Sequence, residues 1–120
     1  MTSILAVDDS PSMRQMVSYT LESAGYEVIM ANEGVEALEI AEKTNVNLVL
    51  TDVNMPKMDG ITLVKHLRKL RDYRYKPILI LTTESSTEKK MQGKDAGATG
   101  WIVKPFDPEQ LLSTIRRVLD

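Results

Sequence analysis

The stretch LVLTDVNMPKMDG, residues 48 to 60, decides the fold. It begins as an apolar run of strand length, stops at the carboxylate of Asp52, and then turns through Pro56 and Gly60. A carboxylate is costly to bury unless a partner pairs with it, because desolvation disfavours the charged form. Asp52 therefore predicts a functional site at the end of a buried strand.

Four other apolar runs of strand length lie along the chain, and segments with helical spacing separate them. The five runs are SILAV (3–7), EVIMA (27–31), VNLVLT (46–51), PILILT (77–82) and TGWIV (99–103). Alternation of strands and helices favours parallel strands joined by right-handed crossovers, with helices on both faces of the sheet. The first, third and fourth runs are apolar on both alternating faces, as strands buried on two sides must be. The sequence predicts an α/β fold, a doubly wound five-stranded parallel sheet with five helices.

Caps and stop residues mark the predicted helices. The first helix begins at Pro11 and stops at Gly25, and its apolar face is formed by Met13, Met16, Val17, Leu21 and Ala24. The other three clear starts are the predicted caps Asn32, Asp59 and Asp107. The fourth helical segment (85–97) is mostly polar, contains Gly93 and offers only Met91 and Ala96 to a core, so we expect it to be the least stable helix.

Length and composition restrict the class of protein. A chain of 120 residues without a Pro/Gly/Ser-rich linker fits one domain, residues 1–120, with one core. A formal net charge of -2 gives no basic footprint, and no stretch approaches the roughly 20 apolar residues of a membrane span. The start MTSILAVDDS does not have the pattern of a signal peptide, and the absence of cysteine fits a reducing compartment. We expect a soluble cytoplasmic protein that binds neither nucleic acid nor membrane.

Polar side chains end or follow four of the five predicted strands. Asp8 and Asp9 follow the first, Asp52 the third and Lys104 the fifth, while Thr82 ends the fourth. In open α/β sheets the binding site lies outside the carboxyl ends of the strands. A single aspartate there would usually be a cap or turn residue. The convergence of all these side chains at one edge predicts a site.

The chemistry of this set indicates magnesium and phosphoryl transfer. Carboxylates 4 Å apart repel by roughly 4 kcal/mol per pair at an effective dielectric of 20, so positive charge is required. Lys104 supplies one charge, and Mg²⁺ suits the rest better than Ca²⁺ or Zn²⁺, because the oxygen ligands are sparse and neither a calcium loop nor a zinc ligand set is present. Beside a metal, a lysine and a threonine hydroxyl, Asp52 is placed as a nucleophile that would form an aspartyl phosphate.

Four motifs resemble those of the response-regulator receiver domain, more narrowly its single-domain chemotaxis type, CheY. They are VDDS (7–10), TDVNMPKMDG (51–60), TT (82–83) and KPF (104–106), and the resemblance covers the whole chain. It implies the flavodoxin-like strand order 2-1-3-4-5, of which CheY is itself a standard example. It also implies a two-component signalling protein that is phosphorylated by a histidine kinase.

The resemblance assigns metal and acceptor roles to individual residues. It implies that Asp52 accepts the phosphoryl group from the phosphohistidine of the kinase. Asp9 and Asp52 would bind Mg²⁺ directly, together with the backbone carbonyl of Asn54, and Asp8 would bind it through water.

The resemblance also assigns the switch. Thr82 would move to hydrogen-bond the phosphoryl group, and Lys104 would pair with it. Trp101 takes the place of the switch aromatic, where tyrosine or phenylalanine is commoner. Asn54 and Glu84 lie where the family tunes the lifetime of the phosphate.

These features together predict a phosphorylation-activated switch that is not an enzyme beyond its own aspartyl phosphorylation and dephosphorylation. We expect a monomer that signals through a separate partner, and the resemblance makes a flagellar motor switch protein the first candidate. The readout would use the fourth helix, the fifth strand and the fifth helix. A phosphate sink, a phosphorelay intermediate and a non-phosphorylated binding scaffold remain alternatives. A flavodoxin-type nucleotide binder is disfavoured, because the loop DDSPSM (8–13) presents two anions where a phosphate cradle needs free backbone donors.

Overall fold

The computed structural model describes residues 1–120 as five strands that alternate with five α-helices. In chain order these are β1 Ser3–Val7, α1 Pro11–Ser23, β2 Glu27–Ala31, α2 Gly34–Lys43, β3 Leu48–Thr51, α3 Gly60–Lys69, β4 Ile78–Thr82, α4 Thr87–Ala96, β5 Gly100–Val103 and α5 Pro108–Leu119. A short 3-10 helix, Arg71–Tyr73, follows α3 and was not predicted. All strand pairs are parallel, in the order β2-β1-β3-β4-β5. The predicted fold is confirmed.

Side chains on β1, β3 and β4 alternate between two hydrophobic clusters, one on each face of the sheet. Leu5, Val49 and Ile80 point to the cluster that α2 and α3 cover, whereas Ile4 and Leu50 point to the cluster under α1 and α5. Every residue of these three strands is buried, which is why they carry no polar alternation. The central strands are therefore rigid supports for the residues that follow them.

None of the helices combines the length and apolar character that a membrane span requires.

The helix caps agree with the sequence except in α2. The side chain of Asp59 accepts a hydrogen bond from the backbone of Thr62, as expected of an N-cap. For α2 the prediction of Asn32 was wrong. The N-cap is Glu33, whose carboxylate reaches the Val35 N–H, while the Asn32 N–H donates to Glu36. A glutamate can cap because its longer side chain folds back to the first turn.

α4 has almost no apolar face. Its only buried residue is Gly93, and the expectation that Met91 packs into a core was wrong, because that side chain is 60% exposed. Met16 of α1 is likewise exposed rather than part of the apolar face. Ala96 does pack against the core cluster on its side of the sheet. α4 is therefore held by few contacts, in line with its predicted low stability.

Tyr73 closes the end of the sheet opposite the strand carboxyl ends. Its ring is buried, and its hydroxyl donates to the Thr44 carbonyl and accepts from the Val46 N–H at 3.1 Å. Burial raises the pKa of this phenol above its usual value of 10.0, more than the hydrogen bond from Val46 lowers it. The native state therefore holds the phenolic proton more tightly than the unfolded chain does.

This linkage predicts a loss of stability at alkaline pH that depends on Tyr73. The contribution is complete below pH 10, the pKa in the unfolded chain, and is lost as pH rises through the higher native pKa. Tyr73→Phe should cost about 1 to 3 kcal/mol at neutral pH, because the buried Val46 N–H and the partly buried Thr44 carbonyl lose their partner. The difference from wild type should shrink above pH 10. Urea titrations across pH would measure this, with the 92% exposed Tyr75→Phe as control. A difference that does not change with pH would contradict the prediction.

Candidate functional site

The register of the sheet brings the predicted site residues to one edge. Val7 pairs with Thr51 across β1 and β3, so Asp8 and Asp52, the next residue of each chain segment, lie side by side. The Asp52 N–H donates to the Val7 carbonyl at 3.0 Å, which extends the ladder by one residue and fixes the acceptor backbone. Thr82 and Lys104 reach the same edge because β4 and β5 end in register there.

Asp8, Asp9 and Asp52 form an acidic cluster. One carboxylate oxygen from each lies within 4.8 Å of the others. Asp8 and Asp52 are only 6% and 9% exposed, whereas Asp9 faces solvent. Such a group of charges repels by about 3 kcal/mol per pair or more at an effective dielectric of 20.

Lys104 joins the two buried carboxylates. Its Nζ donates to Asp8 Oδ2 at 2.7 Å and to Asp52 Oδ2 at 3.0 Å. The other oxygens are held by backbone: Asp8 Oδ1 accepts from the Ser10 N–H at 2.9 Å, and Asp52 Oδ1 from the Val53 N–H at 2.6 Å. Each buried carboxylate is therefore fixed at both oxygens.

The charge of Lys104 is maintained by these contacts. Burial alone would lower the pKa of Lys104, but its hydrogen bonds and ion pairs with Asp8 and Asp52 raise the pKa above the ordinary 10.5. Three carboxylates and one ammonium leave a charge of minus two. This residual charge and the hard oxygen donors fit one Mg²⁺ ion, and Asp9 gives the cluster an open side.

The loop between β3 and α3 supports the acceptor through its backbone. The Gly60 N–H donates to the Val53 carbonyl at 2.8 Å, and a Cβ on Gly60 would overlap the Asp52 carbonyl oxygen. The sequence predicted a turn at this glycine, but the residue of this loop with positive φ is Lys57, at 66°. Gly60 is required for close approach of α3 to Asp52 rather than for an unusual backbone angle.

Thr82 and Trp101 hold the same residue, Glu84. The Thr82 hydroxyl accepts from the Glu84 N–H at 3.2 Å, and the Trp101 indole Nε1 donates to the Glu84 carbonyl at 2.9 Å. Thr82 is fully buried, and Trp101 is half-buried against the core. Both predicted switch residues therefore form hydrogen bonds with the backbone of the loop between β4 and α4.

The structure places Asn54 and Glu84 differently. Asn54 is exposed in the loop between β3 and α3, two residues after Asp52, whereas Glu84 is half-buried. The sequence reasoning missed Arg14, whose guanidinium donates to the Asp8 carbonyl at 2.7 Å and so steadies the acidic turn. No motif signals it, because the contact depends on how α1 packs beside β1.

A family comparison identifies the chain. The model of the response regulator receiver domain matches residues 4–116. The chain belongs to this family. The acidic cluster, Thr82 and Lys104 are thus the polar edge of a receiver domain, at the carboxyl ends of its strands.

This receiver domain is similar to solved structures over almost their whole length, and to longer regulators over about half of theirs. The crystal structure of chemotaxis protein CheY4 of Vibrio cholerae is 57% identical, with a TM-score of 0.94 and 98% of each chain covered. The receiver domain of sensor histidine kinase PA1611 of Pseudomonas aeruginosa is 27% identical, with a TM-score of 0.92 over 98% of this chain and 97% of that one, and it has a magnesium ion coordinated in its active site cleft. Response regulator MprA of Mycobacterium leprae is 41% identical over 97% of this chain and 50% of its own length. The transcriptional regulator RpaA of a Synechocystis strain is 37% identical over 99% of this chain and 49% of its own length. The chain spans about half the length of these two regulators.

Magnesium is expected to stabilise this receiver domain through Asp9. An ion that binds only the native state adds about 1.4 kcal/mol to the free energy of unfolding at ten times its Kd. Asp9→Asn should abolish most of this gain, while the exposed Asp95→Asn should leave it unchanged. Urea titrations with and without Mg²⁺ would measure the effect. An equal gain in all three proteins would mean that Mg²⁺ does not act at the cluster.

Proposed function

We propose that this receiver domain is a phosphorylation-activated switch of a two-component system, and that residues 1–120 act as one unit. Asp52 accepts a phosphoryl group from the phosphohistidine of a histidine kinase. Asp9, Asp52 and the Asn54 carbonyl bind Mg²⁺ directly, and Asp8 binds it through water. The observation that supports this most is the position of Asp52, which is nearly buried, fixed at both oxygens and paired with Lys104 at 3.0 Å.

The atoms around Asp52 support this chemistry. A carboxylate oxygen attacks phosphorus, an O–P bond forms, and the N–P bond of the donor breaks with its electron pair going to the imidazole, which then takes a proton. The ammonium of Lys104 already lies beside the attacking carboxylate, so its charge is close to the transferring oxygens. A bound Mg²⁺ supplies further neutralisation of the phosphoryl charge.

Signal transmission uses the hydrogen bonds that Thr82 and Trp101 both make to the backbone of Glu84. If the Thr82 hydroxyl turns to donate to the phosphoryl group, the Glu84 N–H loses its acceptor. The Trp101 indole holds the carbonyl of the same residue, so it must follow the loop or release it. This arrangement supports a two-state change that spreads to α4, the helix with the fewest buried residues.

The phosphate is removed by the domain itself. Asn54 is exposed beside the acceptor and Glu84 is half-buried near Thr82, and we propose that both set how readily water reaches the aspartyl phosphate. The protein performs no other reaction, so it acts as a switch rather than as an enzyme with an external substrate.

The relatives support two proposals for the partner. High similarity to CheY4 over almost the whole of both chains supports a role in chemotaxis. For that role we propose a monomer that acts in the cytoplasm, with a flagellar motor switch protein as its partner. The surface of α4, β5 and α5 would carry the signal. RpaA, which is named as a DNA-binding transcriptional regulator, favours a second candidate, control of transcription through a DNA-binding output. A phosphate sink, a phosphorelay intermediate or a binding scaffold would keep the same site but no such partner.

Intact-mass spectrometry with acetyl phosphate and Mg²⁺ tests the proposal. We expect one added phosphoryl group per chain and none when the metal is chelated, because three carboxylates would otherwise repel the anionic donor. Absence of an adduct with Mg²⁺ present, in protein that Mg²⁺ stabilises, would contradict phosphorylation and favour the binding scaffold.

A further inference from the structure

Gly93 is an unusual residue for the middle of α4. Glycine is a weak helix former, and an alanine at an open helical position raises the folding equilibrium constant roughly fivefold. α4 spans Thr87–Ala96 and has no apolar stripe that could compensate. Gly93 is nevertheless its one buried residue, so something must occupy the space beside it.

The indole of Trp101 occupies that space. A Cβ on Gly93 would lie 2.8 Å from Trp101 Cζ3, 3.0 Å from Cε3 and 3.2 Å from Ile80 Cδ1. The two nearest are atoms of a rigid ring, not the end of a flexible side chain. The six-membered ring of the indole therefore packs directly on the backbone of α4, beside the Ile80 side chain of β4.

The same ring is fixed at its polar edge. Trp101 Nε1 donates to the Glu84 carbonyl at 2.9 Å, ahead of the first turn of α4. The indole cannot retreat from Gly93 without lengthening this hydrogen bond. At the other end of α4, Arg68 holds the Gly97 carbonyl through Nε at 3.0 Å and Nη2 at 2.7 Å. A displaced indole would therefore move the start of α4 more than its end.

We propose that Gly93 is a positioning residue of the switch, because its missing Cβ creates the seat in which the Trp101 indole reaches Glu84. The indole requires this seat, because a Cβ on Gly93 would lie 2.8 Å from its Cζ3. The coupling to signalling rests on the proposed function, whereas the seat itself belongs to the protein without phosphate. Gly93 thereby links the position of α4 to Trp101, the side chain that hydrogen-bonds to the same residue as Thr82.

Fluorescence tests the seat, because Trp101 is the only tryptophan. Gly93→Ala should shift the emission to longer wavelength and increase quenching by acrylamide, as the ring is pushed towards solvent. Gln92→Ala, at the exposed neighbouring position, should change neither. Emission and quenching equal to wild type in Gly93→Ala would overturn the proposal.

A double-mutant cycle separates the seat from a general helix defect and covers the case in which Gly93→Ala folds poorly. With Trp101 present, Gly93→Ala should lower the folding equilibrium constant measured in urea. In the Trp101→Ala background the same change should raise it, roughly fivefold, as helix propensity predicts. Equal destabilisation in both backgrounds would show that Gly93 does not seat the indole.

Phosphorylation tests the coupling. With acetyl phosphate and Mg²⁺, Gly93→Ala should gain the same mass as wild type. Phosphorylation should change the Trp101 emission of wild type but not that of Gly93→Ala. The same emission change in both proteins would overturn the coupling. If wild type gains no mass, the proposed function fails, while the fluorescence and urea results still decide the seat.

Discussion

Asp52→Asn is expected to abolish phosphorylation by acetyl phosphate and Mg²⁺. The amide is nearly the same size as the carboxylate and can still accept from the Val53 N–H, so the acceptor loop should keep its shape. It has no anionic oxygen to attack phosphorus, and it removes one of the proposed metal ligands. Intact mass should therefore show no adduct after times at which wild type is fully modified.

Two checks make this result specific. Asp95→Asn, an exposed change on α4, should gain the phosphoryl group at the wild-type rate. A urea titration should show that Asp52→Asn remains folded, since Lys104 keeps its ion pair with Asp8 at 2.7 Å. If Asp52→Asn gained as much phosphate as wild type, the acceptor would be another side chain. Asp9 would then be the first candidate, because it is the exposed carboxylate of the cluster.

Gly60→Ala is expected to cause the largest loss of stability among single-methyl additions in this region. The new Cβ would overlap the Asp52 carbonyl oxygen and lie 2.8 Å from its carbonyl carbon, and 3.1 Å from Val53 Cα. That carbonyl also accepts from the Thr51 hydroxyl at 2.9 Å, so rotating it away would break this hydrogen bond. Because the clash is with backbone, α3 must shift, and we expect a cost of roughly 3 kcal/mol or more in urea.

Gly25→Ala provides the matched control. Gly25 has φ of 91°, but a Cβ added there would meet no atom within 4 Å, so its cost should be limited to the left-handed backbone, about 1 to 2 kcal/mol. Similar losses for the two variants would mean that α3 adjusts easily and that the close approach at Gly60 is not required. If Gly60→Ala remains folded, slower phosphorylation is expected, since Asp52 shares the displaced backbone.

Much of the fold could be predicted because its signals are local. Buried strands appear as short apolar runs, and Asp59 and Asp107 mark helix starts by chemistry within one turn. The exceptions are also local. At α2 the sequence offered two adjacent polar residues, Asn32 and Glu33, and residue preference alone favoured the wrong one.

Partners distant in sequence could be predicted only as a group. The sequence indicated that Asp8, Asp9, Asp52, Thr82 and Lys104 share an edge, because strand order brings strand ends together. It did not indicate that Lys104 pairs with Asp8 and Asp52 while Asp9 stays open to solvent. Those pairings depend on the register of the sheet and on contacts between residues that lie 96 and 52 positions apart in the sequence.

The sequence by itself determined the alternation of strands and helices, the family motifs and the residues able to do phosphoryl chemistry, since periodicity, caps and residue chemistry are properties of neighbouring positions. Only the tertiary structure decided that Gly60 lets α3 approach Asp52, that Trp101 and Thr82 hold one residue, and that Gly93 seats the indole. Each of these depends on close packing between elements, where a single Cβ or a shift of about one ångström changes which atoms touch.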